Sequence, residues 1–276
     1  LPYETLDEAI ELARLGDGSL AGSIVTNDND IARELVLGTA PWHGRLLVIN
    51  RHCAAESTGH GSPLPHLVHG GPGRAGGGEE LGGIRGVLHY MQRTALQGSP
   101  QTLSHIGRRW IRGAEASATD MHPFRKTFEQ LQLGDTVRTA SREISLDDID
   151  HFAKFTGDEF YAHMDEESAK KNPFFEGRVA HGYLIVSFAA GLFVDPDFGP
   201  VLANYGLDDL RFAQPVNHGD SIKVRLTCKQ KTLREGSGYG EVRWDTEVTN
   251  QNDEIVASYD VLTMVATDEQ WASVNT

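Results

Sequence analysis

Apolar and polar positions follow one rhythm in the first hundred residues of this chain and another in the last hundred and fifty. Near the start, Leu6-Asp7-Glu8-Ala9-Ile10-Glu11-Leu12-Ala13 has helical spacing, with Thr5 as N-cap and Glu8 three residues on. This predicts an amphipathic helix over residues 5–15, closed by Gly16. A strand is expected at Gly22-Ser23-Ile24-Val25-Thr26, a helix over residues 27–37 capped by Asn27 or Asp28 and ended by Gly38, and a second strand over residues 45–50. Such alternation implies an α/β unit, although one too short for a complete doubly wound domain.

Residues 57–86 are punctuated by Gly, Pro and His too often for a long element, so they read as loop. Helical spacing resumes over residues 86–96 and is stopped by Gly98-Ser99-Pro100. A polar helix is expected over residues 103–113, followed by the small-residue linker Ala114-Glu115-Ala116-Ser117-Ala118-Thr119. The domain boundary is therefore placed in residues 101–122, between a first segment over residues 1–100 and a second domain over residues 123–276.

In the second domain the pattern changes. Ser145-Leu146-Asp147-Asp148 starts a helix whose stripe is Ile149, Phe152, Ala153 and Phe155, ending at Thr156-Gly157. Residues 179–194 are apolar on nearly every side except at His181 and Ser187, the mark of a buried helix. Three long alternating stretches follow, over residues 221–231, 238–250 and 254–266, separated by turn residues. One buried helix and an antiparallel meander long enough to wrap it make an α+β fold.

Charge and composition narrow the function. With 39 acidic and 25 basic side chains the formal charge is -14, which repels nucleic acid and anionic membrane. No apolar run reaches the roughly 18–20 residues of a membrane helix, and no signal peptide opens the chain, so a cytoplasmic protein is expected. The chain starts Leu1-Pro2-Tyr3 in the manner of an internal segment, so a fragment is expected. Cys53 and Cys228 lie far apart and outside any CxxC, as reduced thiols would.

Chemistry concentrates at Gly157-Asp158-Glu159-Phe160-Tyr161-Ala162-His163. A carboxylate and an imidazole five residues apart, just past a helix, can converge on one water as an acid/base pair; equally, Asp158 can cap a loop and His163 can be an ordinary histidine. Val179-Ala180-His181-Gly182 then opens the buried helix and offers a backbone N–H to a carbonyl oxygen.

These two motifs, in this order, resemble the MaoC-like R-specific enoyl-CoA hydratases, and the resemblance extends over residues 123–265. It implies a hot-dog fold in which Asp158 and His163 activate water and the Gly182 amide stabilises an enolate oxygen, without a metal or cofactor. It also implies that His181 supports the site. Where that family has Asn-Pro, this chain has Phe160-Tyr161, which implies an aromatic pocket floor made by these two residues. Arg211 and Lys223 are candidates for the CoA phosphates or for plain surface positions.

The first segment resembles the C-terminal end of aldehyde dehydrogenases, through Leu20-Ala21-Gly22-Ser23-Ile24-Val25-Thr26-Asn27-Asp28, Gly44-Arg45-Leu46-Leu47-Val48-Ile49-Asn50, and the glycine-rich stretch from Pro65 to Gly83. In that family the cofactor-binding half and the nucleophilic Cys lie upstream, so Cys53 is read as a structural thiol. The fused order resembles the bifunctional ring-opening enzymes of aerobic phenylacetate degradation, in which the hydratase domain opens oxepin-CoA and the dehydrogenase oxidises the resulting aldehyde with NADP. The expected partners are an acyl-CoA thioester, the remainder of the dehydrogenase domain and further copies of the chain. Two other readings stay open, an R-specific hydratase for short linear enoyl-CoA and a non-catalytic assembly module. Gly71-Pro72-Gly73-Arg74-Ala75-Gly76 fits the dinucleotide fingerprint only in letters, and His60, His66 and His69 lack partners at metal-ligand spacing.

Overall fold

Side-chain caps start the helices of the first part of the chain. Thr5 accepts from the Glu8 amide to begin α1 (Leu6–Arg14), and Asp28 accepts from the Asp30 and Ile31 amides to begin α2 (Asn29–Thr39). The strands between and after them, β1 (Ser19–Val25), β2 (His43–Ile49) and β3 (Ala95–Gln97), form a parallel sheet in the order β1-β2-β3. The last helix is α3 (Pro100–Gly107). The computed structural model describes residues 1–59, 91 and 94–274, and these form two units, Leu1–Ala114 and Glu115–Thr276. The histidines at 60, 66 and 69 and the glycine-rich motifs over residues 71–83 lie outside the described residues.

Three expectations for the first unit need correction. Gly38 does not end α2 but sits inside it, where a Cβ would run into the Ile10 side chain of α1, so its bare Cα is what lets α1 approach. Ser99-Pro100 starts a helix where a stop was expected: Ser99 accepts from the Thr102 amide and Pro100 occupies the first turn, where no backbone donor is missed. The helix expected over residues 103–113 accordingly falls at Pro100–Gly107, where it buries Thr102, Ser104 and Ile106, and the division between the units falls between Ala114 and Glu115.

In the second unit, β4 (Ser117–Ala118), β5 (Asp135–Arg138) and β6 (Arg142–Glu143) are short. They precede α4 (Leu146–Thr156), α5 (Tyr161–Met164), α6 (Glu166–Ala169) and the central α7 (Gly182–Phe193). After α7 come β7 (Val201–Phe212), β8 (Ser221–Arg234), β9 (Tyr239–Thr249), β10 (Ile255–Ala266) and the C-terminal α8 (Asp268–Val274). The sheet order is β4-β5-β8-β9-β10-β7, with β6 beside β8.

Period-2 alternation puts Ile222, Val224, Leu226 and Cys228 of β8, Val242, Trp244 and Val248 of β9, and Val261 and Val265 of β10 in one core with Leu184, Ile185, Ala189 and Phe193 of α7. A sheet wrapped round one buried helix is the α+β arrangement the pattern predicted and the hot-dog fold the resemblance implied. The opposite face carries ion pairs, Arg225 with Asp245 and Glu247, Lys229 with Asp260, and Arg243 with Asp260 and Asp208. β7 was not foreseen; it is an edge strand, exposed at Leu202 and Tyr205, with register shifts against β10 and a positive φ of 54° at Asp209.

Candidate active site

The loop that carries Asp158 is set by the end of α4. Ser145 and Asp148 form a capping box at its start, and Gly157, at φ 80°, turns the chain out at its end, so Asp158 projects into solvent from a left-handed cap. The single-turn helix α5 then brings His163 back beneath it. His163 Nδ1 lies 2.7 Å from the Val179 carbonyl oxygen. A carbonyl only accepts, so Nδ1 carries the proton and Nε2 is left with its lone pair. Burial holds the His163 pKa below its usual value of 6.5, with the neighbouring His181 and Arg178 acting in the same direction.

His181 lies beneath this pair. It is 1% exposed, its ring stacks on His163 with centroids 3.8 Å apart, and its Nε2 donates to the backbone carbonyl of Asp158 at 2.8 Å. Its Nδ1 is buried without a hydrogen-bond partner. One side chain therefore fixes the Asp158 backbone and supports the His163 ring.

Arg178 completes the frame. Its Nε donates to the His163 carbonyl at 2.5 Å, its guanidinium pairs with Asp150 of α4, and its backbone amide donates to Glu166 at 2.9 Å. Three helices are tied together at the residue that precedes Val179.

Asp158, His163 and His181 each offer an atom to a shared space in which those atoms lie within 4.8 Å of one another. The two rings are tilted by only 29°, so their in-plane lone pairs run side by side instead of meeting at a point, and each ring already gives one nitrogen to a carbonyl. That geometry suits hydrogen bonding to a shared water better than tetrahedral ligation of a metal.

Gly182 begins α7, and His181, its N-cap, makes no side-chain cap bond, so first-turn amides remain to polarise an acceptor. A cavity of about 500 Å³ joins these features, lined by Asp158, His163 and Gly182 together with Phe174, Phe175, Tyr183 and Phe212. Among the residues expected at the site, Asp158, His163 and Gly182 line the cavity. Phe160, Tyr161 and Arg211 do not, which corrects the aromatic floor expected of the first two: all three are exposed, and the Phe160 and Tyr161 rings pack on each other at 4.5 Å. His181 does not line it either; it lies buried behind His163.

The aromatic walls come from elsewhere, from the segment before Val179 and from the end of β7. Nothing in the local pattern around residue 158 marks them, because tertiary packing brings them there. Arg178 carried a usable signal, a cation beside the second motif, but its staple to the His163 carbonyl and Asp150 has no sequence signature.

Residues 128–250 match the family model described as MaoC like domain. Protein MaoC of Klebsiella aerogenes is 57% identical over 234 residues, covering 85% of this chain and 70% of that protein. A 3,4-dehydroadipyl-CoA semialdehyde dehydrogenase of Aromatoleum evansii is 42% identical over 72 residues, 26% of this chain and 14% of that protein. A 3-hydroxybutyryl-CoA dehydratase of Methylorubrum extorquens is 34% identical over 99 residues, 36% of this chain and 61% of that protein. The X-ray structure of a monoamine oxidase regulatory protein from Archaeoglobus fulgidus superposes with a TM-score of 0.50 at 31% identity, over 53% of this chain and 98% of that one.

Proposed function

We propose, since this chain belongs to the family of Protein MaoC and its second unit is a MaoC-like hydratase domain, that it adds water across the double bond of an α,β-unsaturated acyl-CoA thioester. The observation that carries this reading is the single cavity wall shared by Asp158, His163 and Gly182. The thioester carbonyl accepts from the Gly182 amide, where the α7 dipole favours developing negative charge. Asp158 and the free Nε2 of His163 hold the water between them. One of them takes its proton as the oxygen attacks the β carbon, the double-bond electrons pass to the enolate oxygen, and a proton returned to the α carbon gives the 3-hydroxyacyl thioester. Water is the only co-reactant.

The finer reading is that the substrate is the cyclic enol ether thioester oxepin-CoA. Water added at the enol ether carbon gives a cyclic hemiacetal, whose ring C–O bond then breaks to leave an aldehyde, with no net oxidation. Its support is the similarity of the chain to a CoA semialdehyde dehydrogenase over 72 residues, an activity that consumes such an aldehyde. In this reading NADP oxidises the product at a dehydrogenase domain, and the hydratase unit needs no cofactor. The dehydratase similarity supports the simpler alternative, a linear enoyl-CoA substrate. A homo-oligomer belongs to the same reading, because β7 pairs with β10 along one edge only and exposes apolar side chains, among them Leu202 and Tyr205.

Hydration of crotonyl-CoA and of oxepin-CoA by wild type and Asp158→Asn tests the assignment. Asp158→Asn is expected to lose about 10²–10⁴ in kcat/KM on the better substrate. Unchanged hydration would remove Asp158 from the chemistry and favour an assembly role. A strong wild-type preference for crotonyl-CoA would leave only the linear reading.

A further inference from the structure

We propose that Phe212 is the residue that sets acyl-group selectivity at this cavity, an inference that rests on the acyl-CoA hydratase reading above. Phe212 ends β7 and pairs with Ala257 of β10, and the chain just beyond it is anchored by the Ala213 amide donating to the Val256 carbonyl at 2.8 Å. Its ring reaches across to the start of α7. A Cβ built on Gly182 would lie 2.5 Å from Phe212 Cζ, 2.6 Å from Cε2 and 2.9 Å from Cε1. Those distances are shorter than any ordinary carbon contact, so the ring edge rests against a bare Cα, and a side chain at 182 would have to push the Phe212 ring aside. Tyr183, the next residue of the helix, meets the same ring edge-on, with centroids 6.5 Å apart at 87°.

The consequence for a substrate is geometric. An acyl group whose carbonyl oxygen sits at the Gly182 amide must pass the Phe212 ring at van der Waals distance, because that ring already touches Gly182. Phe174 and Phe175 contribute further aromatic lining. A short, flat, conjugated acyl group slides past an aromatic ring, whereas a long saturated tail needs the volume the ring fills. The ring is about half exposed, so it forms the rim of the cavity and removing it widens the cavity without emptying the core.

The test compares crotonyl-CoA with trans-2-octenoyl-CoA in wild type, Phe212→Ala and Phe212→Leu. Phe212→Ala is expected to raise the octenoyl-to-crotonyl ratio of kcat/KM at least about tenfold, the scale on which pocket contacts discriminate hydrocarbon groups, and Phe212→Leu to raise it less. Melting temperatures of both variants separate this from a loss of fold, and Phe212→Leu keeps an apolar plug should the alanine variant unfold. A ratio within about twofold of wild type in a folded variant overturns the proposal, as does an equal fall on both substrates. A wild-type protein that hydrates neither of these thioesters nor oxepin-CoA overturns the hydratase reading itself, whereas one that hydrates oxepin-CoA alone overturns this proposal and leaves that reading standing.

Discussion

The two units solve the burial of a sheet in opposite ways. In the first, β2 is covered on both faces over a parallel three-stranded sheet, and the core among the described residues is six side chains, Ile24, Ala32, Val36, Leu46, Val48 and Ile106. In the second, one face of a long antiparallel sheet packs twenty-three buried side chains, α7 among them, while the other face is free for a ladder of ion pairs. The contrast teaches where chemistry has room. A sheet sealed on both faces spends its side chains on packing. A sheet wrapped round one helix delivers the positive end of that helix, desolvated, to the rim of the core, and there Asp158 and His163 meet Gly182.

The sharpest way to break the comparison is to remove packing on the helix. Leu184 of α7 is 2% exposed, and Leu184→Ala is expected to destabilise the protein by about 2–5 kcal/mol, read by urea denaturation followed by tryptophan fluorescence. The first unit leans more on local capping. Asp28→Ala, which removes the acceptor for two amides at the start of α2, is expected to cost about 1 kcal/mol by the same measurement. An Asp28 effect as large as that of Leu184 would contradict the contrast.

The smallest effect concerns pH. The folded pKa of His163 lies below its ordinary 6.5 because burial disfavours the cation. Between those two values the unfolded chain holds more protons than the folded one, so the contribution of His163 to stability is full above pH 6.5 and falls as the pH drops towards the folded value. Activity that needs the free Nε2 follows the same direction. A kcat/KM profile on crotonyl-CoA between about pH 5 and 8 should show its acid limb below 6.5, and a limb above that value would mean that His163 is not the base.

Much of the second unit was legible because its pattern is strict. The meander over β8 to β10 alternates with period 2, and Ser145 with Asp148 announces α4. β7 was illegible for a physical reason: as an edge strand with bulges it buries almost nothing, so Asn204, Asp208 and Asp209 interrupt any alternation. The same blindness hid the cavity walls. Asp158, His163 and Gly182 could be read from the two motifs, but Phe160 and Tyr161 were assigned to the pocket because they stand where the resembling family has Asn-Pro. In the fold their rings pack on each other at a tilt outside it, while Phe212 arrives from the far edge of the sheet. Gly38 and Gly182 show the same limit in miniature, since the side chain that lies against each, Ile10 and Phe212, is brought there by folding.

Cys228 lies at the centre of β8, fully enclosed opposite Trp244, and burial pushes its thiol up to about 12. At any ordinary pH it is therefore protonated and out of reach of reagents that attack a thiolate. Its alkylation must wait for the sheet to come away from the helix, which makes this sulfur a built-in clock for the opening of the hydratase unit. Cys53, only half buried in the other unit, supplies the running reference against which that clock is read.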